Sequence, residues 1–330
     1  MIDFSKFGSL IEMLAYFSDE KTCRKAVAES RWGSGRKQDV VCPYCGGHHC
    51  VGRRDGRFRC HRCGKNFSCK VGTIFEDSNL PLAKWFVAMY LISSNKKGVS
   101  SCQLARDISV TQKTAWYVLH KVRSLYAQYD TDTLSGEVEC DEVYIGGREK
   151  WKHKSMRTPG TQGRSGKTKT PVFGMMERSE FVNAKGEVEP MSYVHAMAVE
   201  NTSGTTLKPL IGQFVEEGST VFTDELNSYN GLSELGYAHK VCNHSALQFV
   251  CEDDGTVYTN NIEGFWSHFR RMITGCYHDV SDEHLQSYID EACFRWNTRK
   301  MDEPERFSHM FSSAIGLVKP NREFKLCAAG

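Results

Sequence analysis

The sequence predicts a multidomain protein in which two small N-terminal modules precede a larger α/β domain. Residues 36–75 are rich in Cys, Gly and Arg and lack apolar periodicity, whereas residues 76–130 have the apolar spacing of helices. Three strand-like segments, then alternating helix and strand, occupy 135–300. A helical segment at 1–35 and a C-terminal tail at 301–330 complete the expected organisation of this 330-residue chain.

Composition and charge narrow the class of protein. No run of about 18 or more apolar residues occurs, so no transmembrane helix is expected. The N-terminus lacks the pattern of a signal peptide, and four of the 14 cysteines have zinc spacing, which favours a cytoplasmic protein over a secreted disulfide scaffold. Residues 1–130 carry 21 basic and 11 acidic side chains, whereas the remainder is acidic on balance. This asymmetry indicates a polyanion partner in front and cation-binding carboxylates behind, although ordinary surface charge remains an alternative.

The N-terminal segment shows helical periodicity. Its apolar residues recur at the spacing of one helix face: Phe7, Leu10, Ile11, Leu14 and Phe17. We therefore expect a short helix that packs through this stripe.

Two CxxC pairs predict a structural zinc site. Cys42 and Cys45 are separated by 14 residues from Cys60 and Cys63. Two such knuckles on adjacent hairpins complete a tetrahedral thiolate shell, and four thiolates leave no open position for catalysis. The alternatives are a redox pair or chance spacing. Substitute ligands are conceivable at Cys50, Cys69, His48, His49 and His61.

The predicted ribbon is basic. Residues 36–70 hold nine Lys or Arg side chains against two acids. This balance suits contacts to DNA phosphates through Arg53, Arg54 and Arg57, with Arg59, Arg62 and Lys65 nearby; a solvated surface is the alternative.

Residues 100–123 have the pattern of a helix-turn-helix. Ser109 and Val110 supply the turn, and Thr111 is placed to cap the second helix. The residues expected to pack the helices together are Leu104, Ala105, Ala115, Val118, Leu119 and Val122. Those expected to face the major groove are Gln112, Lys113, Thr114 and Tyr117. A plain helical hairpin remains the alternative.

The large domain has the element order of a ribonuclease-H-like α/β core. Strands are expected at 136–145, 171–177 and 192–199, followed by a helix at 205–216 and a strand at 219–223. A short helix at 227–235, a strand near 240–243 and two long helices follow. Between the first two strands, 148–169 carries eight basic residues against one acid and predicts a mobile basic loop.

Three distant acids are candidate metal ligands. Asp141 and Asp224 are expected at strand ends, and Glu263 near the start of a helix. Such acids converge in this kind of fold and bind two divalent ions about 3.5–4 Å apart, with oxygen ligands favouring Mg²⁺ or Mn²⁺. The residues alone leave rivals: Glu137, Glu139 or Glu142 for Asp141, and Glu225 for Asp224, which also fits a helix cap. Arg270, seven residues after Glu263 on the same helical face, is a candidate phosphate ligand or a solvated charge.

Several motifs together resemble the IS1595 (ISXO2-like) family of insertion-sequence transposases. They are 140–147 (CDEVYIGG), Thr223-Asp224 followed by Tyr229, His244, 258–267 (YTNNIEGFWS), 281–285 (SDEHL) and 295–299 (RWNTR). The resemblance covers about residues 20–300. It implies a catalytic triad of Asp141, Asp224 and Glu263, followed by the basic Arg270. Tyr258 departs from the histidine usual before Thr-Asn, and the role of His244 is left open as site-adjacent.

The resemblance implies cleavage and strand transfer at transposon ends. Its partners are then double-stranded DNA (terminal inverted repeats and target), with nucleoid association and a homo-oligomer expected because two ends are joined. Two other functions are compatible with the residues: a catalytically silent DNA-binding protein derived from a transposase, and a ribonuclease-H-like repair nuclease. The intact acids favour an enzyme, and the two DNA-binding modules favour a site-selecting recombinase.

Overall fold

The computed structural model describes residues 7–33, 39–128, 133–146, 153–160, 168–183, 185–242 and 259–316. The chain forms two compact units, Met1–Gln128 with Lys300–Gly330, and Tyr129–Arg299. Within the described residues, no helix has the length and apolar character needed to cross a membrane.

The N-terminal segment forms two helices rather than one continuous stripe. Helix α1 (Leu10–Tyr16) is capped by Ser9, and α2 (Glu20–Trp32) by Asp19, whose carboxylate accepts a hydrogen bond from the Thr22 amide. Of the expected stripe, Phe7 and Phe17 are buried, but Ile11 is 78% exposed. The stripe prediction was wrong because Asp19 starts a new helix, which leaves α1 only seven residues long with Met13 as its buried residue.

The ribbon is a small antiparallel sheet of β1 (Cys50–Gly52), β2 (Phe58–Cys60) and β3 (Asn66–Phe67). Phe58 and Phe67 stack with ring centroids 5.6 Å apart, and Trp32 of α2 meets Phe58 edge-on at 5.1 Å. A sheet this small buries little surface of its own, so α2 supplies much of its apolar packing.

Residues after Arg299 return to the N-terminal unit. The expected C-terminal tail contains α9 (Glu303–Ile315), which packs against α3 (Leu82–Ser94). Phe311 meets Phe86 with ring centroids 5.3 Å apart, and the Tyr90 hydroxyl donates to Glu303 over 3.1 Å. The described part of this segment is therefore a component of the N-terminal core.

Two further helices form a short pair. Helix α4 (Ser101–Asp107) is capped by Ser100 and α5 (Gln112–Arg123) by Thr111, while Ser109 takes a left-handed backbone conformation (φ 51°) in the turn. The apolar residues that the pattern places between the helices are buried: Leu104, Ala105, Ala115, Val118, Leu119 and Val122.

The second unit is built on a five-stranded mixed sheet. Its strands are β4 (Glu137–Ile145), β5 (Thr170–Val182), β6 (Val188–Ala198), β7 (Thr220–Thr223) and β8 (Ala238–Val241). The spatial order is β6-β5-β4-β7-β8, with β4, β5 and β6 antiparallel and β7 and β8 parallel to β4.

Helices cover both faces of this sheet. One face carries α7 (Asn260–Met272) and α8 (Asp282–Asn297), and the other carries α6 (Gly204–Phe214). The side chains of β4 alternate accordingly: Val143 and Ile145 belong to the α7 core, whereas Val138 and Cys140 belong to the α6 core.

Some local expectations differ from the structure. The helix expected at 227–235 is two separate 3₁₀ turns, Asn227–Tyr229 and Ser233–Leu235, because Gly231 and Gly236 take positive φ and interrupt it. Of the basic loop 148–169, the described residues contain only an exposed 3₁₀ turn, Lys154–Met156; its mobility stays a prediction. His244 and Tyr258 lie outside the described residues.

Candidate metal centres

The four ribbon cysteines converge on one point. Their sulfur atoms all lie within 4.8 Å of one another, with Cys42 Sγ 3.7 Å from Cys63 Sγ and Cys45 Sγ 3.6 Å from Cys60 Sγ. Sulfurs held about 2.3 Å from a tetrahedral zinc lie about 3.8 Å apart, so the donor set fits structural zinc.

The backbone prepares one of these thiols for metal binding. The amides of Cys63 and Arg62 lower the pKa of the Cys60 thiol to about 6, against the opposing effect of burial. A lowered pKa favours the thiolate, which is the form that binds metal. Cys50 stays outside the group of four, and its thiol points to the Gly47 carbonyl at 3.5 Å.

The candidate DNA-contacting side chains are largely accessible. Arg53, Arg54 and Arg57 are exposed on the ribbon, with Arg53 lying 3.8 Å from Asp55. On α5, Gln112 and Lys113 are exposed, whereas Thr114 and Tyr117 are half-buried. The Thr114 amide is occupied, since it donates to the capping hydroxyl of Thr111.

Strand register brings Asp141 and Asp224 together. Strand β7 ends at Thr223, and its pairing with β4 is last seen at Glu139 and Phe222. Two residues further along each chain stand Asp141 and Asp224. Asp141 is thus in the middle of β4 and not at a strand end as expected, because β4 continues past the shorter β7.

The acid that joins this pair is Glu142. Carboxylate oxygens of Asp141, Glu142 and Asp224 lie within 4.8 Å of one another, and Glu263 is not part of this group. The Tyr229 hydroxyl donates to Glu142 over 3.0 Å, and the Leu226 amide donates to Asp224 over 3.0 Å. Asp224 therefore also caps the following turn.

Glu263 and Arg270 line the same cleft. The cleft has a volume of about 810 Å³, and both side chains share it with Asp141, Glu142 and Asp224. Volume alone does not distinguish it, because a cavity of about 800 Å³ beside α6 has a largely apolar lining. Among the described residues, three clustered carboxylates occur in the cleft.

Clustering changes the protonation of Asp141. Burial, followed by the negative charges of Glu142 and Asp224, raises the pKa of Asp141 to about 7. The Trp266 indole opposes this shift, since its N–H donates to Asp141 Oδ2 over 3.0 Å. Crowded carboxylates favour either a shared proton or a bound cation, and these oxygen donors suit Mg²⁺ or Mn²⁺.

The remaining rivals have other partners. Glu137 pairs with Arg178 at 2.9 Å, and the fully buried Glu139 pairs with Arg178 at 2.8 Å. Gly174, which lies opposite Asp141 on β5, was not singled out by the sequence. A Cβ built there would lie 2.6 Å from the Trp266 ring, so this glycine leaves room for the indole. A glycine inside an otherwise apolar strand was the signal for such a close approach.

Comparison with known proteins identifies the family. A model of the ISXO2-like transposase domain matches residues 133–297, half of the chain, and a model of the transposase zinc-ribbon domain matches residues 18–66. The chain belongs to the ISXO2-like transposase family. The resemblance found in the sequence motifs is thereby confirmed, as is a zinc-ribbon domain at the N-terminal end.

Relatives of this ISXO2-like chain include a protein of Halobacterium salinarum described as an uncharacterized protein in transposable element ISH50. It is 28% identical over 288 residues, which cover 83% of this chain and 89% of the relative. A transposase-like protein of Haemophilus influenzae is 31% identical over 108 residues, covering 33% of this chain and 84% of the relative.

Among solved structures, a chain of the Mos1 strand transfer complex is 14% identical to the ISXO2-like chain. The alignment covers 69% of this chain and 78% of the Mos1 chain, with a TM-score of 0.27. A score this low has no bearing on the fold, which is described above from its own strands.

Proposed function

We propose that this chain is a DNA transposase that cleaves and joins DNA ends through metal-dependent displacement at phosphorus. The observation that carries the proposal is the meeting of Asp141 and Asp224, from separate strands, in a cleft also lined by Glu263 and Arg270. These residues come from three distant parts of the chain, and a shared cleft suits a common ligand better than three unrelated surface acids.

The proposed reaction has two steps of one kind. A water oxygen first attacks a phosphorus at the transposon end, and the bond to the 3′ oxygen breaks to free a 3′-hydroxyl. That hydroxyl then attacks a phosphorus of target DNA, which forms the new strand junction and releases a target 3′ oxygen. Two bound divalent ions supply activation of the attacking oxygen and charge stabilisation of the leaving oxygen.

The chain's own residues hold the reactants. Asp141, Asp224 and Glu263 are the proposed ligands for Mg²⁺ or Mn²⁺, with Glu142 close enough to add an oxygen. Arg270 is placed in the cleft to bind a phosphate oxygen by charge-assisted hydrogen bonds.

The proposed fold of the catalytic unit is ribonuclease-H-like. It is supported by three antiparallel strands followed by two strands parallel to the first, in the order β6-β5-β4-β7-β8. We assign residues 135–300 to this domain, with 148–169 as its basic insertion.

The proposed DNA-binding region lies ahead of it, as a zinc ribbon at 36–75 and a helix-turn-helix at 76–130. In this proposal the structural zinc holds the ribbon, and Arg53, Arg54 and Arg57 contact phosphates. Exposed residues at the start of α5, such as Gln112 and Lys113, read the terminal repeats. A homo-oligomer is part of the proposal because two DNA ends are joined to one target.

Strand cleavage tests the function. The substrate is a labelled duplex that carries the inverted repeats flanking the gene, incubated with MgCl₂ or MnCl₂. We expect Asp141→Asn, Asp224→Asn and Glu263→Gln to lose cleavage at least a hundredfold while they retain repeat binding. Glu225→Gln is the matched control, because Glu225 is the exposed neighbour of Asp224.

Two outcomes would overturn the proposal. Wild-type protein that binds the repeats without cutting them with either metal would favour the silent DNA-binding protein. Cleavage at the wild-type rate in all three variants would remove the acids from the mechanism.

A further inference from the structure

Glu139 is a buried acid that the proposed reaction does not use. It precedes Asp141 by two residues on β4, so both side chains lie on the face of the sheet covered by α7. Glu139 is fully buried, and its carboxylate accepts three hydrogen bonds. The donors are Arg178 Nε at 2.8 Å, Asn261 Nδ2 at 2.8 Å and the Ile262 amide at 3.0 Å.

Two of those donors belong to the first turn of α7. Thr259 occupies the N-cap position of α7 but makes no side-chain capping bond. The Ile262 amide, one of the first-turn donors without a partner inside the helix, is satisfied from β4 by Glu139 instead. A carboxylate at this end also interacts favourably with the helix dipole.

This contact joins the elements that carry the proposed metal ligands. Ile262 immediately precedes Glu263, and Glu139 lies two residues before Asp141. The apolar face of α7 (Ile262, Phe265, Trp266, Phe269) holds the helix on the sheet, but apolar packing is not directional. Hydrogen bonds to Glu139 restrict the rotation and axial position of the helix.

A buried carboxylate needs compensation, and Arg178 provides it. The Arg178 side chain is 11% exposed; it pairs with Glu139 and Glu137, and its guanidinium lies 4.2 Å from the centre of the Phe222 ring. Phe222 ends two residues before Asp224, so the same ion pair also packs against the strand of the second aspartate.

We propose that Glu139 is a positioning residue that holds Glu263 of α7 at the working distance from Asp141 and Asp224. This inference rests on the proposed function, in which Glu263 is a metal ligand. It differs from a purely structural role because the effect of losing Glu139 on metal binding passes through Glu263.

A double-mutant cycle separates the two roles. Mn²⁺ affinity is measured on the full-length, zinc-loaded protein by titrating MnCl₂ and following free Mn²⁺ by electron paramagnetic resonance. Glu139→Gln keeps the side-chain size but turns one acceptor into an amide that faces donors. We expect it to weaken Mn²⁺ binding about tenfold in the wild type, as for outer partners of metal ligands, and less than twofold in a Glu263→Gln background.

Two control variants accompany the cycle. Glu137→Gln removes the other carboxylate bound to Arg178 without touching α7, and should leave Mn²⁺ affinity unchanged. Val138→Ala loosens the opposite face of the same strand, so it lowers the melting temperature without changing Mn²⁺ affinity. If Glu139→Gln is unfolded at the assay temperature, Asn261→Ala replaces it; that variant removes one donor and leaves the ion pair, with an expected two- to threefold weakening.

Equal weakening by Glu139→Gln in both backgrounds, or none in the wild type, overturns the positioning role. The proposed function fails in a different way: wild-type protein then binds no Mn²⁺, or Glu263→Gln binds it as tightly as wild type, whatever stands at position 139. That second pattern also removes Glu139 from any role through Glu263.

Discussion

The Trp266 indole of α7 donates a hydrogen bond to Asp141 of β4 over 3.0 Å, which joins helix and strand at the carboxylate cluster. Trp266 is 4% exposed, so this donor is held in place by packing. The bond favours the ionised carboxylate, whereas burial and the neighbouring acids favour the protonated form. The protonation of Asp141 is thus set by competing neighbours, with consequences for pH dependence.

The metal-free protein should lose stability as pH rises through neutrality. The pKa of Asp141 is raised to about 7, above the ordinary value of about 4, because of burial and then the charges of Glu142 and Asp224. Between those values the native state holds a proton that the unfolded chain has released, so the free energy of unfolding falls as pH increases. Urea unfolding at pH 5, 6, 7 and 8, without Mg²⁺ and without chelator that would strip zinc, measures this slope.

Asp141→Asn is the control for the pH experiment because it removes the titrating group and keeps its shape. We expect wild type to lose roughly 1–2 kcal/mol relative to this variant between pH 5 and 8. Parallel stability curves for the two proteins would show that Asp141 does not hold a proton in the native state.

Gly174→Ala should destabilise the catalytic unit. The added Cβ would lie 2.6 Å from Trp266 Cζ2 and 3.2 Å from Ile262 Cδ1, both of which are packed side chains. Such overpacking costs about 1–3 kcal/mol, and displacement of the indole should also reduce strand cleavage. Thermal melting and the cleavage assay measure the two effects.

Gly212→Ala is the matched control for Gly174→Ala. Gly212 is an exposed residue of α6, and nothing lies within 4 Å of a Cβ built there. Because alanine is the better helix former, this variant should gain roughly 0.5–1 kcal/mol. A neutral Gly174→Ala protein would mean that the contact between Trp266 and β5 is looser than described.

Cys42→Ser should lose zinc. Its sulfur is one of four that lie within 4.8 Å of one another, and a hydroxyl is a poor substitute for a thiolate ligand. Atomic absorption on purified protein should give one zinc per chain for wild type and much less for the variant. Cys102→Ser, at an exposed cysteine on α4, should keep its zinc; unchanged zinc in Cys42→Ser would place the metal elsewhere.

Gln112→Ala should weaken recognition of the terminal repeats. Gln112 is exposed at the start of α5, where its amide donates to Ser101 over 2.8 Å. Loss of a bidentate base contact costs about 1–3 kcal/mol for the specific site and nothing for unrelated DNA. Anisotropy titrations with both duplexes at one salt concentration measure the ratio.

Gln103→Ala provides the comparison for Gln112→Ala, since Gln103 is exposed on α4 and bonds to Asp107 within its own helix. It should bind both duplexes as wild type does. Equal weakening of specific and unrelated binding by Gln112→Ala would assign Gln112 to the backbone rather than to a base.

The sequence by itself determined the local features of this protein. The two CxxC knuckles predict the four-sulfur cluster, and Ser100 and Thr111 are the caps of the helices that follow them. Each of these depends on residues close together in the chain, where spacing dictates geometry. The alternation along β4 and the apolar stripe of α7 were legible for the same reason.

Only the tertiary structure decided which acids meet. Asp141 reaches Asp224 through the register of β4 with β7, and Glu142 joins them, whereas Glu139 turns to the first turn of α7. Strand register and helix docking depend on side chains more than 80 residues apart, and no local period reports them. The return of α9 to α3 and the close approach of Trp266 to Gly174 are contacts of the same kind.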